Sequence, residues 1–193
     1  MSLIRTALVT FMLMTILTGA LYPLAMTAVA QLLFPEEANG SLVVRGSEAV
    51  GSTLIGQEFQ QPVYFWGRLS ATSPSPYQAA ASSGSNLGPL STDLRAATRQ
   101  RLEALREADP AATDGAPVDL VTSSGSGLDP HISPAAAYYQ AGRVARLRGL
   151  TVEHVRTLID GYTEGRSLGF LGEPRVNVLL LNLALDEQAA QTK

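Results

Sequence analysis

Residues 6–34 read TALVTFMLMTILTGALYPLAMTAVAQLLF, a run of 29 residues without a formal charge. A helix that spans a bilayer needs about 20 predominantly apolar residues, so the run predicts one N-terminal transmembrane helix. Pro23 is expected to kink this helix, because proline removes a helical hydrogen bond. Thr15 and Gly19 are small residues four positions apart, a spacing that lets another helix approach closely. A face that contacts only lipid is an equally favoured interpretation.

A cleaved signal peptide is the alternative interpretation of this run, since Ala28–Ala30 fits the A-x-A cleavage pattern. The run is far longer than the 7–15 apolar residues of a signal-peptide core and continues to Phe34, so a retained anchor is favoured. Arg5 precedes the run, and two glutamates follow it. Because positively charged flanks tend to stay inside, the N-terminus is predicted to be cytoplasmic and residues 35–193 extracytoplasmic.

The predicted organisation is a 1–34 anchor and a 35–193 domain, that is, an α+β extracytoplasmic domain attached to one N-terminal transmembrane helix. The domain holds 13 of the 14 Lys/Arg and all 17 Asp/Glu residues, for a net charge of −4. A mildly acidic domain is a poor nucleic-acid binder, because binding depends on neutralising phosphates. The chain has no cysteine, and His131 and His154 form no ligand-spaced cluster, so no metal site is predicted.

Hydrophobic periodicity predicts a mixture of strands and helices in this domain. The predicted strands are 42–44, 53–55, 63–66 and 118–122, and the predicted helices are 92–107, 134–148, 152–162 and 176–187. Ser133 and Thr151 are expected to cap helices, and Gly149 to end one. Residues 67–91 show no hydrophobic periodicity, which predicts a long loop.

An eight-residue phrase occurs twice, with six of eight positions identical at a spacing of 41 residues. The copies are SSGSNLGP at 82–89 and SSGSGLDP at 123–130, and each leads into a predicted helix. Serine, glycine and proline suit tight turns, so structural use of the phrases is the favoured interpretation. The alternative is recognition of an anion or a partner by backbone N–H groups that point outward at a helix entry.

If the phrases recognise an anion or a partner, two sets of residues are candidates for the contacts. The nucleotide or partner contacts are Ser124, Gly125, Ser126 and Gly127, with Gln140 and Arg143 on the following helix. The docking-loop residues of the first copy are Ser83, Gly84, Ser85 and Asn86. Gln140 and Arg143 stand three positions apart and therefore share a helix face, which is expected to present polar groups beside the second phrase.

Catalysis by this chain alone is not predicted. The only lysine is Lys193, so the chain has no phosphate-binding P-loop. Neither phrase fits G-x-S-x-G, because Ser124 occupies the place of the first glycine. Ser126, Asp129 and His131 are the residue types of a hydrolytic triad, but they lie too close in sequence for the usual arrangement. A membrane-anchored hydrolase using Ser126 and His131 stays as the minor alternative.

Several longer motifs, taken in order, closely resemble the C subunit of the Kdp potassium-transporting ATPase, the KdpC family. They are GSTLIGQ at 51–57, YFWGR at 64–68, ASSGSNLGP at 81–89, SGSGLDPHISP at 124–134 and GEPRVNVL at 172–179. With the single N-terminal span, they cover nearly the whole chain. One departure is Leu69, where the family usually has proline.

The resemblance implies a subunit of a bacterial inner-membrane complex. Its partners would be a channel-like subunit that conducts K⁺, a P-type ATPase subunit that hydrolyses ATP, and a small single-span subunit. In that family the C subunit is thought to assist assembly, and it has been described as a catalytic chaperone that raises the ATP affinity of the ATPase subunit. No firmly bound cofactor is implied, and ATP would be reached through the complex. We expect a non-catalytic accessory subunit that docks on the extracytoplasmic face of the channel subunit; a nucleotide-binding modulator is the second hypothesis.

Overall fold

The computed structural model describes residues 2–191, and the chain divides between Val50 and Gly51 into two compact units. One apolar N-terminal helix is followed by a body of helices and short strands. This arrangement confirms the predicted α+β class with a single N-terminal span.

The first unit is dominated by one helical stretch, Ser2–Leu33, which is long and apolar enough to cross a membrane. Its parts are α1 (Ser2–Ile16), a π-helical turn (Leu17–Leu21) and α2 (Tyr22–Leu33). In the π turn the Tyr22 N–H donates to the Leu17 carbonyl, one residue before Pro23. A proline ring clashes with the carbonyl four residues earlier, so the wider π turn accommodates Pro23 within a helix.

The remainder of the first unit is short. A single helical turn, α3 (Pro35–Ala38), follows the long helix, and β1 (Leu42–Arg45) comes after it. β1 pairs with β2 (Glu48–Ser52) in a two-stranded sheet. The strand predicted at 42–44 is therefore confirmed.

The second unit places helices around a three-stranded sheet. Its elements are α4 (Thr92–Ala108), α5 (Val118–Val121), β3 (His131–Ile132), α6 (Pro134–Arg148), α7 (Val152–Gly161), β4 (Thr163–Glu164), β5 (Arg175–Asn177) and α8 (Val178–Gln191). The strand order is β3-β5-β4, and both outer strands run antiparallel to β5. The buried Val176 of β5 lies opposite Ile132 on one side and Thr163 on the other.

The core of this unit lies between α6, α7, α8 and the sheet. α6 contributes mainly small buried side chains, Ala136, Ala137, Ala141 and Ala145. Such residues let α7 approach closely, and Val155 and Ile159 of α7 are fully buried there. The helix predicted at 152–162 is thus confirmed, with its inner face buried and Tyr162 at its end exposed.

Local capping chemistry sets the helix ends as the sequence predicts. The Ser133 hydroxyl accepts the Ala136 N–H at 3.1 Å, and Pro134 occupies the first turn of α6. Gly149 ends α6 with φ of +67°, a conformation that glycine adopts without steric cost. The Thr151 hydroxyl accepts the His154 N–H at 3.2 Å and begins α7.

Three predicted strands are wrong. Residues 118–121 form the one-turn helix α5, because a short apolar run does not by itself distinguish helix from strand. Residues 53–55 form a turn with an isolated bridge from Ser52 to Ile55. Residues 63–66 are irregular, and Phe65 and Trp66 are buried.

Two amide side chains take the place of a neighbouring strand at Phe65 and Trp66. The Asn182 side chain accepts the Phe65 N–H at 2.9 Å and donates to the Phe65 carbonyl at 3.0 Å. Gln140 does the same for Trp66, at 2.8 and 3.1 Å. Buried backbone polar groups need such partners, so both amides are structural components of the core.

Candidate functional site

The two copies of the repeated phrase lie side by side, as a first loop (Ser82–Pro89) and a second loop (Ser123–Pro130) that we call the paired loops. The Ser126 carbonyl accepts the Ser83 N–H at 2.9 Å and the Ser82 hydroxyl at 3.0 Å. The Ser123 and Ser85 hydroxyls are 3.1 Å apart. The two copies of the repeat therefore contact each other and form one continuous surface.

Glycine is required where the paired loops approach most closely. A Cβ atom on Gly84 would lie 2.6 Å from the Gly125 carbonyl oxygen. A Cβ atom on Gly127 would lie 2.7 Å from the Ser83 carbonyl oxygen and 2.6 Å from a methyl carbon of Thr72, at a φ of +69°. All three contacts are shorter than those that real Cβ atoms make, so these two glycines have a packing role.

A third segment, residues 68–77, packs against the paired loops and is hydrogen-bonded to the second loop. The Leu69 carbonyl accepts the Ser124 N–H at 3.1 Å, and the Ser70 hydroxyl donates to the Gly127 carbonyl at 2.6 Å. Tyr77 closes this segment by donating its hydroxyl to the Arg68 carbonyl at 2.6 Å. Burial raises the pKa of Tyr77 to about 12, so its hydroxyl keeps its proton and remains a donor at neutral pH.

Asp129, at the end of the second loop, binds Arg68 and His131. Its carboxylate accepts from Arg68 at 3.1 Å and from the His131 N–H at 3.0 Å, and the His131 Nδ1 lies 3.3 Å away. Burial alone would raise the pKa of Asp129, but the hydrogen bonds from His131 and Arg68 lower it below its usual value. Asp129 is therefore a charged anchor of the loop.

The residues of the hydrolase alternative are brought together only in part. His131 contacts Asp129, as a base and its orienting carboxylate would. The Ser126 hydroxyl instead accepts the Leu128 N–H of its own loop at 3.1 Å and is exposed. The structure gives Ser126 the role of a turn residue.

Gln140 and Arg143 lie in the core, and the prediction that they present polar groups beside the second loop needs correction. Each is only 1% exposed. The Arg143 guanidinium donates to the carbonyls of Pro62 and Tyr64 and to the Gln140 side chain. The shared face on α6 was predicted correctly, but it packs against Phe65 and Trp66 because these irregular residues need hydrogen-bond partners.

Trp66, the only tryptophan of the chain, has two guanidinium groups close to its ring. The guanidinium carbons of Arg101 and Arg143 are 5.0 and 4.8 Å from its ring centre, within cation–π range. Burial lowers the pKa of Arg143 to about 10, so the group still carries its charge at neutral pH. Arg101 also donates to the carbonyls of Leu120 and Gly67, and it thereby ties α4 to α5.

The first loop is the more accessible half of the paired loops. Ser83, Ser85 and Asn86 are exposed, and Asn86 adopts a left-handed conformation with φ of +51°. A groove of about 430 Å³ lies between this loop and α4 and is lined by Ser85, Leu87 and Ser123 together with side chains of α4. Of the second loop, Gly125 and Ser126 are exposed, whereas Ser124 and Gly127 are buried.

Residues 2–191 contain no cluster of three or more His, Cys, Asp or Glu side chains that could hold a metal ion. Several donors of the paired loops are already engaged, since the N–H groups of Ser83, Ser124 and Leu128 bind oxygens within this region. The geometry is that of a preformed protein surface.

Comparison with known proteins gives one consistent result. The profile of the family described as "K+-transporting ATPase, c chain" matches residues 4–187. A protein of Variovorax paradoxus is 62% identical over 189 residues, which cover 98% of both chains. Proteins of Methylococcus capsulatus and Polaromonas naphthalenivorans are 60% and 61% identical, over 94% and 96% of this chain and 96% and 94% of theirs. All three are named potassium-transporting ATPase KdpC subunit.

Proposed function

Because this chain belongs to the KdpC family, we propose that it is a non-catalytic accessory subunit of a high-affinity, ATP-driven K⁺ uptake complex. The observation that carries the proposal is the match over residues 4–187, which includes both the N-terminal helix and the folded body. The helix Ser2–Leu33 would hold the subunit in the bacterial inner membrane, with its N-terminus in the cytoplasm. The other parts of the complex would be a K⁺-conducting subunit, a P-type ATPase subunit and a small single-span subunit.

The paired loops are the surface that we assign to docking on the extracytoplasmic face of the K⁺-conducting subunit. Ser83, Ser85 and Asn86 are exposed on the first loop, and Gly125 and Ser126 on the second. Hydrogen bonds between the two loops, and from the segment 68–77 to the second loop, fix the backbones of the loops. A preformed surface of this kind loses little conformational entropy on binding, which suits the assembly of a stable complex.

An effect on the ATP affinity of the ATPase subunit would reach it indirectly in this proposal. Residues 35–193 lie outside the cytoplasm if Arg5 marks the inner flank of the helix, and cytoplasmic ATP is then out of reach. The buried position of Gln140 and Arg143 also supports an indirect route. A chaperone role would thus depend on how the complex is held together, without a nucleotide site on this chain.

Deleting residues 35–193 while keeping the N-terminal helix is expected to reduce K⁺ uptake and recovery of the complex to the background level. The expected loss is complete because the folded body supplies the proposed docking surface. The measurement is affinity purification of the ATPase subunit together with uptake of K⁺ or Rb⁺ by cells. The matched control is the full chain expressed to the same level, and an intact, fully active complex formed by the deleted chain would contradict the proposal.

A further inference from the structure

The loop between β4 and β5 exposes a cluster of large apolar side chains. Within this loop, residues 167–171 form a tight turn that we call the hairpin tip. Leu168 is 82% exposed, Phe170 is 70% exposed and Leu171 is 51% exposed. Scattered apolar residues on a surface are ordinary, but a compact group of this kind marks an interaction site.

The hairpin tip is held in one conformation by its own backbone. The Ser167 N–H donates to the Leu171 carbonyl and the Leu171 N–H donates to the Ser167 carbonyl, each at 2.9 Å. The Gly169 N–H donates to the Arg166 carbonyl at 3.1 Å, and Gly169 takes the φ of +81° that the turn requires. A turn fixed in this way presents its apolar side chains at a low entropic cost of binding.

The loop that carries the hairpin tip is joined at both ends to the three-stranded sheet. The loop leads into β5, the central strand, whose Val176 is fully buried. The core packs around Val176 without Leu168 and Phe170, so these side chains are not needed for the fold. Burial of these two apolar side chains against a partner would therefore favour binding.

The charges around the hairpin tip indicate whether the tip binds a lipid surface or a protein. Arg166 pairs with Glu173 at 2.7 Å and Arg175 pairs with Glu164 at 2.9 Å, so the four charges around the tip cancel. Loops and helices that insert into anionic membranes combine apolar residues with an excess of Lys and Arg. An apolar centre within a charge-balanced polar rim is instead typical of a protein–protein hot spot.

We propose that the hairpin tip inserts into an apolar, uncharged socket on another protein chain of the transport complex, with Phe170 and Leu168 as its anchors. This proposal rests on the proposed function, since it requires the chain to be a subunit. It adds a second contact, separate from the paired loops, through which the folded body is held in place.

The test compares variants of the full chain, each produced with the other subunits of the ATPase. The double variant Leu168→Ala/Phe170→Ala is expected to reduce recovery of this chain with the ATPase subunit at least tenfold after extended washing. The matched control is Val118→Ala, because Val118 is 71% exposed but lies outside the hairpin. The control should be recovered like the unmodified chain, and equal recovery of the double variant and the control would overturn the proposal.

A second measurement identifies the occupant directly. Phe170 is replaced by the photo-crosslinker p-benzoylphenylalanine in the full complex in native membranes. The expected product is an adduct with another protein subunit, whereas adducts with lipid alone, or no adduct, would overturn the proposal. If the unmodified chain fails to purify with the other subunits, the proposed function itself fails. If it purifies with them and position 170 gives no protein adduct, only the inference about the hairpin tip fails.

Discussion

Replacement of Arg143 with alanine is expected to lower the free energy of unfolding by about 3–5 kcal/mol. The guanidinium is the donor to two backbone carbonyls and to the Gln140 oxygen, and it lies over the Trp66 ring. Alanine would leave these acceptors buried without a donor and would open a cavity beside the ring. Lysine at this position is expected to recover only part of the loss, because one ammonium group lacks the fork of donors that arginine supplies.

The measurement for Arg143 is thermal unfolding of the full chain in detergent, followed by the fluorescence of Trp66, which is the only tryptophan. A fall of about 10 °C in Tm is expected for Arg143→Ala. The matched control is Arg156→Ala on the neighbouring helix α7, where the side chain is exposed. Its effect should stay within about 0.5 kcal/mol. Similar melting of the two variants would contradict the structural role assigned to Arg143.

Replacement of Gly127 with alanine is expected to cost about 2–4 kcal/mol, from backbone strain and steric overlap together. The residue has φ of +69°, and its added methyl group would lie within 2.7 Å of Thr72 and of the Ser83 carbonyl. The second loop would have to move away from the first. Because the proposed docking surface is built from both loops, recovery of the complex should fall with stability.

Gly125→Ala is the matched control for the paired loops. Gly125 is in the same loop and is exposed, and its added methyl group would meet no atom within 4 Å. Its expected effect is below about 1 kcal/mol. The comparison uses thermal unfolding of each variant. If Gly127→Ala melts like Gly125→Ala, the close contact of the two loops does not contribute to the stability of the protein.

The sequence predicts well those structural features that depend on residues close together in the chain. Ser133, Pro134 and Gly149 define α6 through contacts within a few residues, so its bounds follow from capping chemistry. The N-terminal helix follows from length and hydropathy alone. The strand predicted at 118–122 failed because a short apolar run fits either helix or strand, and packing of Leu120 and Val121 decides the outcome.

Features fixed by distant partners could not be predicted in this way. Phe65 bonds to Asn182, which is 117 positions away, and Trp66 bonds to Gln140, which is 74 positions away. No local pattern indicates such pairing, so the sequence alone predicts that Gln140 presents its polar group at the surface. The repeated phrase indicated two similar loops, but their contact depends on the segment 68–77, which the sequence predicted only as a loop.

The stretch Leu168–Leu171 carries a sequence signal for the exposed hairpin tip. Three large apolar residues stand within four positions, and charged residues flank them on both sides. Such a pattern in a predicted loop is unusual, because turns favour glycine, proline and polar residues. Their exposure depends on the rest of the fold, because the core is formed by other residues.

Protease accessibility shows on which side of the membrane the folded body lies. The full chain, in cells that also produce the other ATPase subunits, is treated with protease in spheroplasts and in inverted membrane vesicles. We expect cleavage within residues 35–193 in spheroplasts and protection in inverted vesicles. Cleavage only in inverted vesicles would contradict docking on the extracytoplasmic face. That result would favour direct contact between this chain and ATP.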